Sequence, residues 1–327
     1  MKLTVAIPTF NRNEILRQNL IALLPQMDAN CELLIIDNCS VTPVADTLND
    51  LVQQYSNIKI RFLRNRANIG SGANILRCFE YCTTDWLWIL GDDDRVSKNA
   101  IKTVICAISK NKDAVFINFL SNVFSRTEIN KVHGIDEFID KLDHFANFLC
   151  ISVNVFQVSK IIKYLKYGFQ YCYSCGPHIA LMLRGLGDNE QVIFSNEAII
   201  SKISTSNYSD YWSAIPVALG LDTLIENVNG IERKKKLSRK ISDLSFRVTY
   251  ELLIFRMKGT ISHKEMIFYY KQIMYRRHYF GHRSMKAFIY SIIYRICLAL
   301  GLSGIRLLNW YCDKKCINRI IIEKFPF

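Results

Sequence analysis

No stretch of the chain offers the roughly 20 uninterrupted apolar residues that a membrane-spanning helix needs. The nearest approach, Lys286 to Leu300, is broken by Arg295 and followed by Gly301. There is no framework of regularly spaced cysteines either. The eleven present are scattered, which excludes a disulfide-stapled scaffold. Met1-Lys2 leads straight into the strand-like Leu3-Thr4-Val5-Ala6-Ile7 rather than into a leader pattern, so a reducing, cytosolic compartment with free thiols is expected. Neither G-x-G-x-x-G nor the Walker spacing occurs, which removes the dinucleotide fingerprint and the P-loop. No helix-turn-helix, RNA-binding-sheet or zinc-finger signature is present, so no nucleic-acid partner is expected.

What is present is a globular composition. Half of the 327 residues are hydrophobic and 22% are charged, too apolar for a disordered chain. The net charge of +13 is uneven. Residues 1–230 carry a net of −2, whereas residues 231–327 carry +15. We therefore expect two parts, residues 1–228 and a basic region 229–327. Such asymmetry points to an anionic partner for the second part.

The order of patterns in the first part is regular. Apolar runs at Leu3–Pro8, Cys31–Ile36, Ile58–Leu63 and Trp86–Leu90 read as strands. Helical spacing fits about 13–24, 44–55 and 73–81, with Asn11 or Asn13 able to cap the first helix. This alternation predicts an α/β fold: a mostly parallel sheet flanked by helices on both faces. Further on, helices are expected over 98–110 and 136–149, strands over 114–119 and 151–156, and a helix opening at Pro177. Ligands of such sheets bind at the carboxyl ends of the strands. Three of those ends carry polar groups: Pro8–Arg12, Asp37, and the triplet Asp92-Asp93-Asp94 after Gly91. Three adjacent carboxylates repel one another, so a divalent metal with a phosphorylated substrate is the economical companion. A solvated acidic turn ahead of a helix is the alternative for the triplet taken alone.

Four motifs occur in order: Ile7-Pro8-Thr9-Phe10-Asn11-Arg12, Ile35-Ile36-Asp37-Asn38-Cys39-Ser40, Asn68-Ile69-Gly70 with Ala73-Asn74, and Leu90-Gly91-Asp92-Asp93-Asp94. Together they resemble the N-terminal half of family 2 glycosyltransferases, which have the GT-A (Rossmann-like) fold. The resemblance covers roughly residues 1–125 and continues thinly to about 205. It implies that Pro8, Thr9, Phe10, Asn11, Arg12, Asp37, Asn68, Gly70, Asn74, Asp92 and Asp93 line the nucleotide-sugar site. It also implies a divalent metal, Mn²⁺ or Mg²⁺, on Asp94 and Asp92, with Asp94 the preferred ligand. The family often reads Leu-Asp-x-Asp-Asp here, and this chain has Gly91 at the first aspartate. The implied reaction is inverting transfer from a nucleotide-diphosphate sugar to a hydroxyl of a lipid-linked oligosaccharide, as in bacterial surface-polysaccharide (O-antigen or capsule) synthesis. A sugar nucleotidyltransferase is the alternative within the same half-sheet, but it calls for a Gly-rich loop after the first strand. A non-catalytic protein binding anionic surfaces or nucleic acid through the basic region is the other.

The family usually carries Glu-Asp at a later helix start, where inverting members have their base. Aligned on Arg184, those places hold Pro177 and His178, which makes His178 the candidate base beside Asp94. Asp188 and Glu190 are the fallbacks. Cys172-x-x-Cys175 has zinc or redox spacing but no nearby second pair, so ordinary thiols are expected. The basic region reads as amphipathic helices, Glu232–Met257, His263–Tyr279 and 286–300. Peripheral contact with the inner, anionic face of the cytoplasmic membrane is expected.

Overall fold

A computed structural model describes residues 2–202, 220–242, 252 and 261–279. Strand β1 (Leu3–Thr9), helix α1 (Asn13–Leu23), β2 (Cys31–Asp37), α2 (Val44–Gln53), β3 (Lys59–Arg64), α3 (Ser71–Tyr81) and β4 (Trp86–Ile89) follow the predicted alternation. Then come β5 (Arg95–Val96), α4 (Ala100–Lys110), β6 (Ala114–Ser121), β7 (Asn130–His133), α5 (Gly134–Lys141), α6 (Phe145–Leu149) and β8 (Asn154–Gln157). Short helices α7 (Val158–Ile161) and α8 (Leu165–Gln170) lead to α9 (Pro177–Leu186), β9 (Gln191–Lys202), α10 (Ile231–Ser242) and α11 (His263–Tyr279).

The strands form one sheet in the order β3-β2-β1-β4-β8-β6-β9-β5, with β7 paired to β9. β1, β2, β3 and β4 run parallel, and β6 runs parallel to β9. β8 lies antiparallel between β4 and β6 and joins the two halves. Alternation along each strand feeds two cores. Val5, Leu33, Trp86 and Trp88 face Leu16, Leu20, Leu48 and Val104 of α1, α2 and α4. Ala6, Leu34, Leu87 and Ile89 face Leu76 and Phe79 of α3, Phe138 of α5 and Ile179–Leu183 of α9. With both faces covered, the β2 and β4 sequences read as continuous apolar runs.

Three differences from the sequence reading have physical reasons. The helix expected over 136–149 is two helices, because Leu142 turns extended and Asp143 is held by Arg126 Nε at 2.7 Å. β9 was not anticipated. Its two apolar triplets, Val192–Phe194 and Ala198–Ile200, are split by Ser195-Asn196-Glu197, and it pairs with β6 along one edge and with β7 and then β5 along the other. In the basic region the first part of the helix expected over Glu232–Met257 is α10, which packs on the α/β body, and residues 243–251 and 253–257 lie outside the described residues. Leu237 and Ile241 join the α5/α9 core. Arg233 pairs with Asp136 and Asp188, Lys236 with Asp140, and Lys234 with Glu226. The helix expected at His263–Tyr279 is α11. The expectation for 286–300 lies outside the described residues.

Candidate active site

The register of β1, β2 and β4 brings their carboxyl ends level, with Thr9 beside Asp37 and Ala6 beside Ile89. The chain therefore turns into loops at one edge of the sheet, and the four motifs meet there. Thr9 Oγ1 donates to Asp92 Oδ2 at 2.7 Å, and Arg12 bridges Asp92 Oδ1 and Asp93 Oδ2, each at 2.9 Å. Asn19 of α1 donates to the Asp92 carbonyl at 2.6 Å. Asp92 is only 6% exposed. Burial pushes its carboxyl up to about 6, against the opposing pull of Arg12 and Thr9. The positive group expected among the carboxylates is, for two of them, Arg12.

A second group surrounds Asp37. Its oxygens accept from the Ser40 and Val44 amides and from Arg64. Burial raises the Asp37 carboxyl, but these donors outweigh it and hold the carboxyl below its ordinary value. Asp37 is thus the staple of its own loop. The loop is also tied to the first motif. The Asn11 amide donates to Ser40 Oγ, and Asn11 Oδ1 accepts from the Val41 amide, both at 2.8 Å. Asn11 and Cys39 both have positive φ, a strained state kept by these reciprocal bonds. Phe10 and Ile69 stand partly exposed at the rim. Asn38 connects the third motif: its Nδ2 donates to Asn68 Oδ1 at 2.8 Å, and its Oδ1 accepts from Asn65 Nδ2 and the Ile69 backbone amide. Asn74 donates to the Ile36 carbonyl and accepts from Asn65. Gly70, at φ +84, lets the chain enter α3.

Asp94 belongs to a third group. Its Oδ2 accepts from Ser152 Oγ at 2.6 Å, and the same Ser152 Oγ accepts from the Gly91 amide at 2.8 Å. Gly91 fills a steric need: a Cβ there would stand 2.9 Å from Asp94 Oδ2 and 3.3 Å from Ser152 Oγ. Ser152, Asn38, Asn65, Asn19 and Arg64 are site residues that the sequence reading did not single out. Asn38 stood inside a quoted motif, while Ser152 comes from a segment with no local signature.

His178 is the second residue of α9. Its ring is 2% exposed, its Nε2 lies 3.0 Å from the Leu149 carbonyl, and its Nδ1 is buried. A carbonyl only accepts, so Nε2 carries the proton. Desolvation pushes the ring down to about 4, with the Leu149 bond pulling the other way. Asp188 and Glu190 lie beyond the far end of α9, paired with Arg233 and Lys160. Cys172 and Cys175 are not in a disulfide, and burial raises both thiols.

Among the described residues no group of three or more His, Cys, Asp or Glu side chains forms a ready metal cage. The donor set nevertheless fits a hard divalent cation that takes one carboxylate and draws its other ligands from phosphate oxygens and water. Asp94 suits that role, while both oxygens of Asp92 are already engaged by Arg12 and Thr9.

The curled, mostly parallel sheet with a polar edge defines a GT-A-like α/β protein. S. aureus TarS (residues 1–349) in complex with UDP has this fold at a TM-score of 0.58 and 13% identity, over 81% of this chain and 77% of that one. The mannosyltransferase PcManGT from Pyrobaculum calidifontis, in complex with GDP-Man and Mn²⁺, aligns at a TM-score of 0.53 and 9% identity over 84% of both chains. Residues 4–171, just over half of the chain, match Glycosyl transferase family 2, and the chain belongs to that family. An abequosyltransferase (RfbV) of Salmonella typhimurium is 32% identical over 103 residues, 31% of either protein. An uncharacterized glycosyltransferase of Haemophilus influenzae is 28% identical over 115 residues, 35% of this chain and 37% of its own length. These matches span about a third of the relatives.

Proposed function

We propose that this protein transfers a glycosyl group from a nucleotide-diphosphate sugar to a hydroxyl of a lipid-linked oligosaccharide in surface-polysaccharide synthesis, with inversion at the anomeric carbon. The observation that carries the reading is the meeting of Thr9, Arg12, Asp92, Asp93 and Asp94 at the carboxyl ends of parallel strands in a family 2 chain. The complexes of TarS with UDP and of PcManGT with GDP-Man support the donor class. The likeness to an abequosyltransferase supports the polysaccharide setting.

In this reading each group has a task. Asp94 would hold Mn²⁺ or Mg²⁺, which when bound offsets charge developing on the departing diphosphate. Arg12 offsets part of the charge of Asp92 and Asp93, which weakens the repulsion of an anionic donor by the crevice floor. Asp37 and the asparagine group fix the loops that form the nucleotide cleft, and Phe10 and Ile69 supply its apolar rim. His178 serves as a neutral donor to backbone rather than as the base.

Contact with an anionic membrane is part of the proposal. Among the described residues no helix is long and apolar enough to cross a bilayer. The basic side chains Arg233, Lys234 and Lys236 of α10 are taken up by acids of the body, so the contact rests on other residues. Lys163 and Lys166 lie over the rings of Tyr164 and Tyr167 beside exposed Phe169 and Tyr173, a basic and aromatic surface of the kind that suits a headgroup region.

Calorimetric titration with UDP, GDP and dTDP, with and without Mn²⁺ or Mg²⁺, tests the site. Metal-dependent binding of one nucleoside diphosphate is the expected result. Folded protein that binds none of them would refute the assignment.

A further inference from the structure

The segment Phe148–Ser152, the last two residues of α6 and the turn that leads to β8, is held by its carbonyls. Asn154 Nδ2 donates to the carbonyls of Phe148 at 3.0 Å and Cys150 at 2.8 Å. His178 Nε2 meets Leu149 O at 3.0 Å, and Trp88 Nε1 donates to Ser152 O at 2.7 Å. The holders are themselves anchored. Asn118 Nδ2 donates to Asn154 Oδ1 at 2.8 Å, and Arg126 donates to Asn118 Oδ1 at 2.6 Å. Asn118, Ser152 and Asn154 are fully buried. A short turn fixed from three other elements has little freedom to move its one hydroxyl.

That hydroxyl has a defined polarity. The Gly91 amide can only donate to Ser152 Oγ, so the hydroxyl proton is directed at Asp94 Oδ2. A side chain at position 91 would enter the same space, within 2.9 Å of Asp94 Oδ2. The glycine in place of the family's usual aspartate and the serine 61 residues away in sequence therefore form one arrangement.

We propose that Ser152 is a positioning residue that aims the Asp94 carboxylate at the divalent cation, and that Gly91 and Ser152 act as a unit. The proposal rests on the reading of Asp94 as the cation ligand. Outer partners of metal-binding carboxylates typically set about 10–100-fold in metal affinity.

The test uses the full chain and its variants Ser152→Ala, Gly91→Ala and the double. Mn²⁺ is titrated against each in the presence of UDP, GDP or dTDP, free Mn²⁺ being read by electron paramagnetic resonance. Nucleotide affinity without metal and the melting temperature are measured in parallel. The expected result for Ser152→Ala is a loss of about 10-fold or more in Mn²⁺ affinity, with metal-free nucleotide affinity kept within about twofold. Gly91→Ala should give a similar loss, and the double variant no more than the weaker single, because the two act on one arrangement. A purely structural role would lower the melting temperature and leave Mn²⁺ affinity alone. Should Ser152→Ala fail to fold, Ser152→Cys keeps the volume without the strong hydroxyl donor and is read the same way. Wild-type and variant proteins that bind Mn²⁺ equally overturn this inference alone. A wild-type protein that binds nucleotide but no Mn²⁺ overturns the metal reading and this inference with it.

Discussion

Acidification offers a direct measure of how deeply His178 is sealed. Its ring is pushed down to about 4 in the folded protein, mainly by desolvation, against an ordinary value of 6.5. Between those two values the unfolded chain binds a proton that the folded protein does not. Stability from this group is therefore present in full above pH 6.5 and is lost as the pH falls toward 4. At about 1.4 kcal/mol per pH unit the whole loss is about 3 kcal/mol, of which about 2 kcal/mol has gone by pH 5. Other groups titrate in this range as well, so the measurement compares the wild type with His178→Gln. Glutamine retains an N–H for the Leu149 carbonyl and cannot titrate. Urea denaturation of both proteins at pH 7, 6 and 5 gives the difference. The wild type should lose about 2 kcal/mol of its advantage between pH 7 and pH 5. Parallel curves would mean that the ring titrates as in water, and would restore His178 as a solvent-facing base.

Asp94→Asn should abolish metal-dependent nucleotide binding while shifting the melting temperature little, because the amide can still accept from Ser152; unchanged Mn²⁺-linked binding by calorimetry would remove Asp94 from the metal site. Arg12→Gln should destabilise the protein more at pH 8 than at pH 5. Asp92, already raised to about 6, keeps its proton longer in the folded state, so stability falls as the pH rises from about 4 to 6. Without Arg12 that fall extends to higher pH, at up to about 1.4 kcal/mol per pH unit, and a penalty independent of pH contradicts the argument. Arg126→Ala strips donors from Asp143 and from the carbonyls of Asn118 and Ser195. It should cost about 3 kcal/mol in chemical denaturation, and a cost under about 1 kcal/mol would show that the ion pair behaves as a surface one.

The half of the fold that builds the crevice was legible because its strands are buried on both faces and its helices carry one apolar stripe. Leu33-Leu34-Ile35-Ile36 and Trp86-Leu87-Trp88-Ile89 leave little else to read. The meeting of Thr9, Arg12, Asp37 and the aspartate triplet was legible for a related reason: parallel strands put their carboxyl ends on one side. What could not be read was pairing at a distance. Ser152 meets Asp94 only because β8 runs antiparallel beside β4, and nothing around position 152 announces it. β9 shifts register against β6 and changes partner along its other edge, and so shows no single period. The reading of the triplet's counter-charge missed Arg12, whose place among the carboxylates depends on how the loop after β1 folds back. His178 was placed at a helix start correctly, but its seclusion depends on Leu149 from α6. The basic run at 233–236 looked free because the acids that receive it, Asp136 and Asp140, lie on α5, about a hundred residues earlier.

The antiparallel insertion of β8 also sets an order of assembly. β3, β2, β1 and β4 are complete within the first 89 residues and can pair as a four-stranded parallel unit. Until Asn154–Gln157 emerge, that unit ends in an unpaired tryptophan-rich edge, the kind of edge to which other chains add. β8 is a seam: it closes that edge and offers its other edge to β6, which β9 joins later. The residue that meets Asp94 stands two positions before the seam. A nascent or truncated chain ending short of it would hold all four motifs and still lack the hydroxyl that meets the last aspartate, so the Ser152–Asp94 bond and the closure of the β4 edge arrive together.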